Sequence, residues 1–264
     1  MGPGAVGAVP ALVKALAERD PQFRFQAAEA LASIGPEGNA AVPVLVQNLP
    51  DNSAAFDALM KLGPAAADAV PALRQVLKSF VETDRGHAAR ALAAIGPAAK
   101  EAVPDLVRVL VDARISWKPA RWHAAKALGA IGPAAGDAIP ELAKVLRDPD
   151  WSLQQAAAEA LGAIGPAAVP ALTQALGEGE ALTVRQYAAR ALGRIGPDAK
   201  DAVPALVRNL DARDLVVRQP ALEALEAMGP AARDAIPALR ARLGDRRGFL
   251  QGSVERALRK IEGD

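Results

Sequence analysis

His87 and His123 are the only imidazoles in this chain of 264 residues, and there is no cysteine. Each histidine is followed by alanine, so neither adjoins a carboxylate. Two imidazoles without carboxylates make a poor site for a transition metal. Without a thiol, disulfides and thiolate-bound metals are excluded, and so few bases leave little to activate a serine or threonine nucleophile. The glycines punctuate helical patterns instead of forming a phosphate loop after a strand. What remains is recognition chemistry. Trp117, Trp122, Trp151 and Tyr187 are the only tryptophans and tyrosine, and they fall in one stretch of the chain. Such side chains bury much area while keeping one polar handle, as interface anchors do. The expectation is a binding protein with no catalytic residues, no metal and no cofactor.

The elements that must position these residues are written in the spacing of glycine and proline. Gly-Pro follows an apolar residue at Gly35, Gly63, Gly96, Gly132, Gly165, Gly196 and Gly229. A second marker, Val/Ile-Pro, recurs at Pro10, Pro43, Pro71, Pro104, Pro140, Pro170, Pro204 and Pro237. A period near thirty residues identifies stacked repeats. In the segment Arg85–Leu110, Ala88, Ala89, Leu92 and Ile95 share one face of a helix. Gly96 is expected to end that helix in a left-handed conformation, and Pro97 to open the next turn. Pro104 restarts a helix that buries Val103, Leu106, Val107 and Leu110. A hairpin apolar on both sides cannot bury itself alone, so its neighbours must complete the core.

The recurring pattern, VPALVxxL followed by xVRxxAAxALGxIGP, resembles the HEAT-like repeats of the phycobilisome-lyase type. In one repeat the match is carried by Val184, Arg185, Ala188, Ala189, Ala191, Leu192, Gly193, Ile195, Gly196 and Pro197. The resemblance spans essentially the whole chain. It implies an all-α, right-handed α-solenoid of about eight helical hairpins, an armadillo-type superhelix forming a single domain over residues 1–264. The repeats are 1–35, 36–63, 64–96, 97–132, 133–165, 166–196, 197–229 and 230–264. The same family spans scaffolds, chromophore lyases, a hydroxylase and DNA glycosylases, so fold alone does not assign function. The hydroxylase relatives bind iron through His-Glu pairs, which His87-Ala88 and His123-Ala124 do not match. No motif matches the glycosylases residue by residue.

The resemblance further implies that the second helix of each hairpin lines the concave surface. Counting back from the apolar residue before each Gly-Pro, the tenth position is Arg24, Arg85, Arg121, Arg185 and Arg218 in five repeats. In the family this arginine pairs with an aspartate of the hairpin turn, for which Asp20, Asp84 and Asp214 are the candidates. The ninth and eighth positions vary freely and are read as groove-facing; they include Phe25, His87, Trp122, His123 and Tyr187. The fifth position reads Glu29, Asp57, Arg90, Lys126, Glu159, Arg190, Glu223 and Arg256. Its alternating sign from Lys126 onward suggests a ladder of ion pairs along the groove floor. The competing reading sets Arg90, Lys126, Arg190 and Arg194, with Lys118 and Arg121, against an acidic peptide. The lengthened fourth repeat, around Asp112–His123, places Trp117 beside this surface.

The partner-binding residues expected on the concave face are therefore Phe25, His87, Arg90, Trp117, Trp122, His123, Lys126, Trp151, Tyr187, Arg190 and Arg194. The function expected is that of a non-catalytic scaffold for a protein or peptide. A nucleic-acid-binding or base-excising HEAT-like protein, or a chromophore-lyase-like subunit, is the alternative. Net charge of +1, from 31 basic and 30 acidic residues, provides no general pull toward nucleic acid. No apolar run approaches the ~20 residues of a membrane span, and no signal peptide opens the chain, so a soluble, cytoplasmic protein without membrane insertion is expected. The Gly-rich start leaves Val6, Val9 and Leu12 without polar cover. This suggests a piece of a longer chain or an N-terminus that pairs with something, the expected state being a monomer or part of a longer chain, whereas the charged SVERALRKIEGD suits a terminal cap.

Overall fold

The structure, a computed structural model, describes residues 7–16, 18, 20–34, 39, 41–50, 53–112, 118–243 and 251–263. Among these residues the chain is helical, with no strand. It divides into two compact units, Met1–Ala138 and Ile139–Asp264. The first contains α1 (Val9–Ala15), α2 (Pro21–Ser33), α3 (Val42–Gln47), α4 (Ser53–Leu62), α5 (Val70–Val76), α6 (Glu82–Ile95), α7 (Val103–Val111) and α8 (Lys118–Ile131). The second contains α9 (Ile139–Val145), α10 (Trp151–Ile164), α11 (Val169–Ala175), α12 (Leu182–Ile195), α13 (Val203–Asn209), α14 (Leu215–Met228), α15 (Ile236–Leu243) and α16 (Gln251–Glu262). Odd and even helices pair as hairpins, one in each expected repeat. Within the first unit α2, α4, α6 and α8 pack successively side by side, and within the second α10, α12, α14 and α16 do the same. Both units are α-solenoid in construction.

Each marker read from the sequence has a physical task. The first helices begin at Val/Ile-Pro, where the missing proline N–H removes a donor that would be unpaired anyway. Most are preceded by a 3-10 turn running from the Gly-Pro, such as Gly96–Ala102. The glycine does more than a left-handed helical cap would. Gly96 has φ 71° and ψ −136°, and Gly196 has φ 73° and ψ −137°. Positive φ with ψ this negative is close to the region reserved for glycine, so the turn excludes any other residue. Gly35 lies outside the described residues.

Small side chains dominate the core. In α6, Ala88, Ala89 and Leu92 are fully buried, and Ala124, Ala125 and Leu128 repeat the pattern in α8. Alanine on a contact face lets neighbouring helices approach closely, toward the short end of the usual ~8–10 Å separation. In α4 the corresponding site is taken by Phe56, also buried. The last helix, α16, buries Val254, Ala257, Leu258 and Ile261 and exposes Glu255, Arg256, Arg259 and Lys260.

Candidate functional site

The first unit gathers its candidates on α4, α6 and α8. His87 of α6 tilts against Phe56 of α4, with ring centroids 5.3 Å apart. One helix further, the Trp122 and His123 rings meet edge to face, with centroids 4.9 Å apart. Lys126, one turn on, places its ammonium 5.6 Å from the Trp122 ring centroid, within reach of the indole quadrupole. Arg90 follows His87 by three residues on α6 and is exposed. It has no hydrogen-bond acceptor or ion pair among the described residues. The result is an aromatic and cationic surface in which His87, Trp122, His123 and Lys126 are half-buried.

The imidazole of His123 feels this setting. Burial, then the Arg90 guanidinium, then His87 lower its pKa from 6.5 to about 4. His87, at the equivalent position one repeat earlier, adds the smallest of the three effects. At neutral pH His123 is an uncharged ring with one donor and one acceptor. The unfolded chain takes up a proton near pH 6.5 that the folded site refuses until about pH 4. The contribution of this group is therefore fully present above pH 6.5 and is lost as the pH falls toward 4. In an NMR titration the His123 ring carbons should move with a midpoint near 4. In Arg90→Gln the midpoint should rise, because one cation is gone; an unchanged midpoint would contradict the assignment.

In the second unit Tyr187, Arg190 and Arg194 lie on one face of α12, opposite Gln155, Ala158 and Glu159 of α10. They enclose a hollow of about 200 Å³. Tyr187 is half-buried, and both arginines are exposed. Trp151 is placed differently from the rest. It opens α10 at the hairpin turn, is 66% exposed, and takes no part in lining the hollow. The Phe25 side chain and all of Trp117 lie outside the described residues.

Two sequence expectations are corrected. The eighth position is not a free surface throughout, because Ala54, Ala156 and Pro220 are buried there and His87 lies against Phe56, whereas Gln26 is exposed. At His87 the column meets the neighbouring second helix, so its variation reflects local fit as well as exposure. The charge ladder also fails in the second unit. Arg190 pairs with neither Glu159 nor Glu223; those carboxylates accept from Gln155 (2.9 Å) and Gln219 (2.8 Å), each four residues back on its own helix. Arg256 instead holds Glu226, with its Nε 3.1 Å from both carboxylate oxygens.

The aspartates expected to pair with the arginine of the tenth position bind elsewhere, and three of those arginines have other partners. Asp20 and Asp214 accept from the amides of Gln22 and Val216, capping α2 and α14, and Asp84 accepts from the Ser79 hydroxyl. Arg85 lies 3.7 Å from Asp112, Arg121 donates to the Leu110 carbonyl at 2.9 Å, and Arg185 donates to Asn209 at 2.9 Å. Sequence reasoning passed over the buried polar residues Asn209 and Asp105. Asp105, only 2% exposed, accepts from Arg74 at 2.7 Å and also binds Arg108. Each is a polar exception in a column of mostly small or apolar residues, which was the available signal.

Stacked hairpins with Gly-Pro links and an arginine recurring at one position in five repeats define a helical repeat protein of the solenoid class. The chain belongs to the HEAT-repeat family, of the phycobilisome-lyase type: the HEAT repeats model matches residues 116–186 and 169–259, and the PBS lyase HEAT-like repeat matches 84–112. Among solved structures it is similar to an engineered protein at 29% identity, with a TM-score of 0.55, covering 98% of this chain and 80% of that one. It is also similar to the complex of CpcE and CpcF of phycocyanin lyase from Nostoc sp. PCC7120, at 26% identity and TM-score 0.50, covering 95% and 93%. Importin beta shares the fold at 17% identity and TM-score 0.60, over 98% of this chain and 41% of that one. No curated protein matches the chain. Among the described residues no helix is long and apolar enough to cross a membrane, and no group of three or more metal-ligating side chains is assembled.

Proposed function

We propose that this chain is a non-catalytic scaffold that binds a protein or peptide segment across the faces of its second helices. The observation that carries the reading is the Trp122 surface: an indole under the Lys126 ammonium, an uncharged His123 against its edge, and an exposed Arg90 without an acceptor among the described residues. Aromatic and arginine side chains left at a surface in this way are the usual anchors of interfaces. The similar CpcE and CpcF chains form a complex with one another, which supports a protein as partner. The unmatched arginines of both units favour an acidic segment.

Selection of random dodecapeptides displayed on phage tests the proposal directly. Peptides recovered on the whole chain should lose roughly 30-fold in affinity on Trp122→Ala, equivalent to about 2 kcal/mol. Arg90→Gln should weaken them less. Equal binding by the wild type and both variants, with unchanged circular dichroism, would sink the assignment. The likeness to a phycocyanin lyase supports a second reading, in which the chain is one subunit of a chromophore lyase. A shift in the absorption of an added bilin would favour it.

A further inference from the structure

The hollow between α10 and α12 is built from two matching stripes. Gln155, Ala158, Glu159 and Gly162 follow one another at helical spacing on α10, as do Tyr187, Arg190, Ala191 and Arg194 on α12. Ala158 and Ala191 leave the space open between the longer side chains. Gly162 fixes the course of one wall: a Cβ added there would lie 3.1 Å from Cδ of Arg194, so that side chain runs over the bare α10 backbone.

The electrostatics of the hollow are unbalanced. Arg190 and Arg194 stand one turn apart on the same helix face, where like charges repel. Neither has a carboxylate or any other acceptor among the described residues. Glu159, which shares the lining, accepts from Gln155 Nε2 at 2.9 Å. Two guanidiniums and one carboxylate leave one positive charge over. At about 200 Å³ the space falls below the ~300–1,000 Å³ of cofactor and small-molecule sites, and suits a single side chain. Guanidinium forks match a carboxylate in shape as well as charge, and the Tyr187 hydroxyl adds a further donor.

We infer that this hollow is a subsite for one acidic side chain, an aspartate or glutamate, of an extended peptide lying across the second helices. The inference rests on the peptide-binding reading above. It also fixes a register. Neighbouring helices are ~8–10 Å apart and an extended chain advances ~3.3 Å per residue, so successive helices meet every third residue of the ligand. On α14 the column of Arg190 presents the exposed Glu223. The ligand residue three positions from the acidic one is therefore basic or neutral.

Side-chain NMR of the whole labelled chain provides the test, following the Arg190 and Arg194 Nε–Hε signals and the Tyr187 ring. The probes are glutamate blocked at both ends, its glutamine analogue, and phenyl phosphate. Blocked glutamate should give saturable shifts with a Kd on the order of millimolar. Glutamine should bind at least fivefold more weakly. Arg190→Gln and Arg194→Gln should each reduce the glutamate response by a similar factor, while Arg208→Gln, exposed on α13, should leave it unchanged. No saturation, an equal response to glutamine, or indifference to both substitutions would overturn the subsite. So would phenyl phosphate binding tenfold more tightly than glutamate, which would assign the hollow to a phosphorylated residue. Selected dodecapeptides that bind and need Trp122 but ignore Arg190 and Arg194 would remove this subsite and leave the scaffold standing. A glutamate response with no peptide recovered would do the reverse.

Discussion

Replacing Asn209 with leucine should lower the stability of the second unit by about 3 kcal/mol or more. Asn209 is 1% exposed and uses every polar atom of its side chain. Its Nδ2 donates to the carbonyls of Leu176 at 3.0 Å and Ala205 at 2.9 Å, while Oδ1 accepts from Arg185 Nε at 2.9 Å. One amide thus ties the end of α11, the body of α13 and the start of α12. Leucine keeps the branched outline of asparagine with bulkier ends, so the loss is mainly polar, with a smaller overpacking cost. A hydrogen bond to a charged group contributes about 1.5–3 kcal/mol, and each buried group left unpaired costs about 1–3 kcal/mol. Arg185, 8% exposed, would keep its charge with that partner gone. Asn209→Asp separates the contributions, since it restores an acceptor for Arg185 but turns a carboxylate toward two carbonyls; it should recover only part of the loss. Urea denaturation gives the magnitude, and hydrogen exchange should localise the change to α11–α13. A loss under about 1 kcal/mol in the leucine variant would show that the amide is not the tie described.

Gly193→Leu should be nearly as damaging for the opposite reason, at about 3 kcal/mol from overpacking. A glycine inside a helix costs about 1 kcal/mol relative to alanine, so its presence in α12 calls for a packing cause. A Cβ added at Gly193 would come within 3.1 Å of Cα and 3.4 Å of Cβ of Ala224 on α14. The obstruction is backbone, and it yields only if the two helices separate. Alanine at the same site should be near neutral, because its gain in helix propensity opposes a tight contact. Gly162 is the useful contrast: the closest atom there is the Cδ of Arg194, a movable side chain, although the Ala191 carbonyl follows at 3.3 Å. Thermal unfolding of the alanine and leucine variants at Gly193 would check the argument. A Gly193→Leu protein that melts with the wild type would refute it.

These two residues mark the limit of what the sequence discloses. Interactions that repeat along the chain were readable: glycine at the helix ends, proline at the helix starts, and the Ala/Leu face whose members Ala188, Ala189 and Leu192 are buried as expected. Asn209 was visible only as one of three polar residues in a column otherwise small or apolar, and its partner Arg185 belongs to the preceding repeat. The family resemblance implied that this arginine pairs within its own hairpin turn, whereas its Nε reaches the next hairpin. The candidate site divides in the same way. The face shared by Tyr187, Arg190 and Arg194 followed from periodicity. The failure of the charge ladder within the second unit and the exposed place of Trp151 at the start of α10 depended on the register between hairpins, for which no residue count is sufficient.

The link between repeats has a consequence for how such a chain changes over generations. Gly63, Gly96, Gly132, Gly196 and Gly229 all carry φ between 54° and 73° and are followed by proline and a 3-10 turn. The joints are interchangeable, so a hairpin can be duplicated or lost between two glycines without redesigning the connection. Alanine-rich faces make most of the seams interchangeable too. The groove can then be rewritten by reordering whole hairpins, with the few idiosyncratic residues such as Trp122, Arg190 and Glu223 acting as the text and the glycine joints as its word breaks.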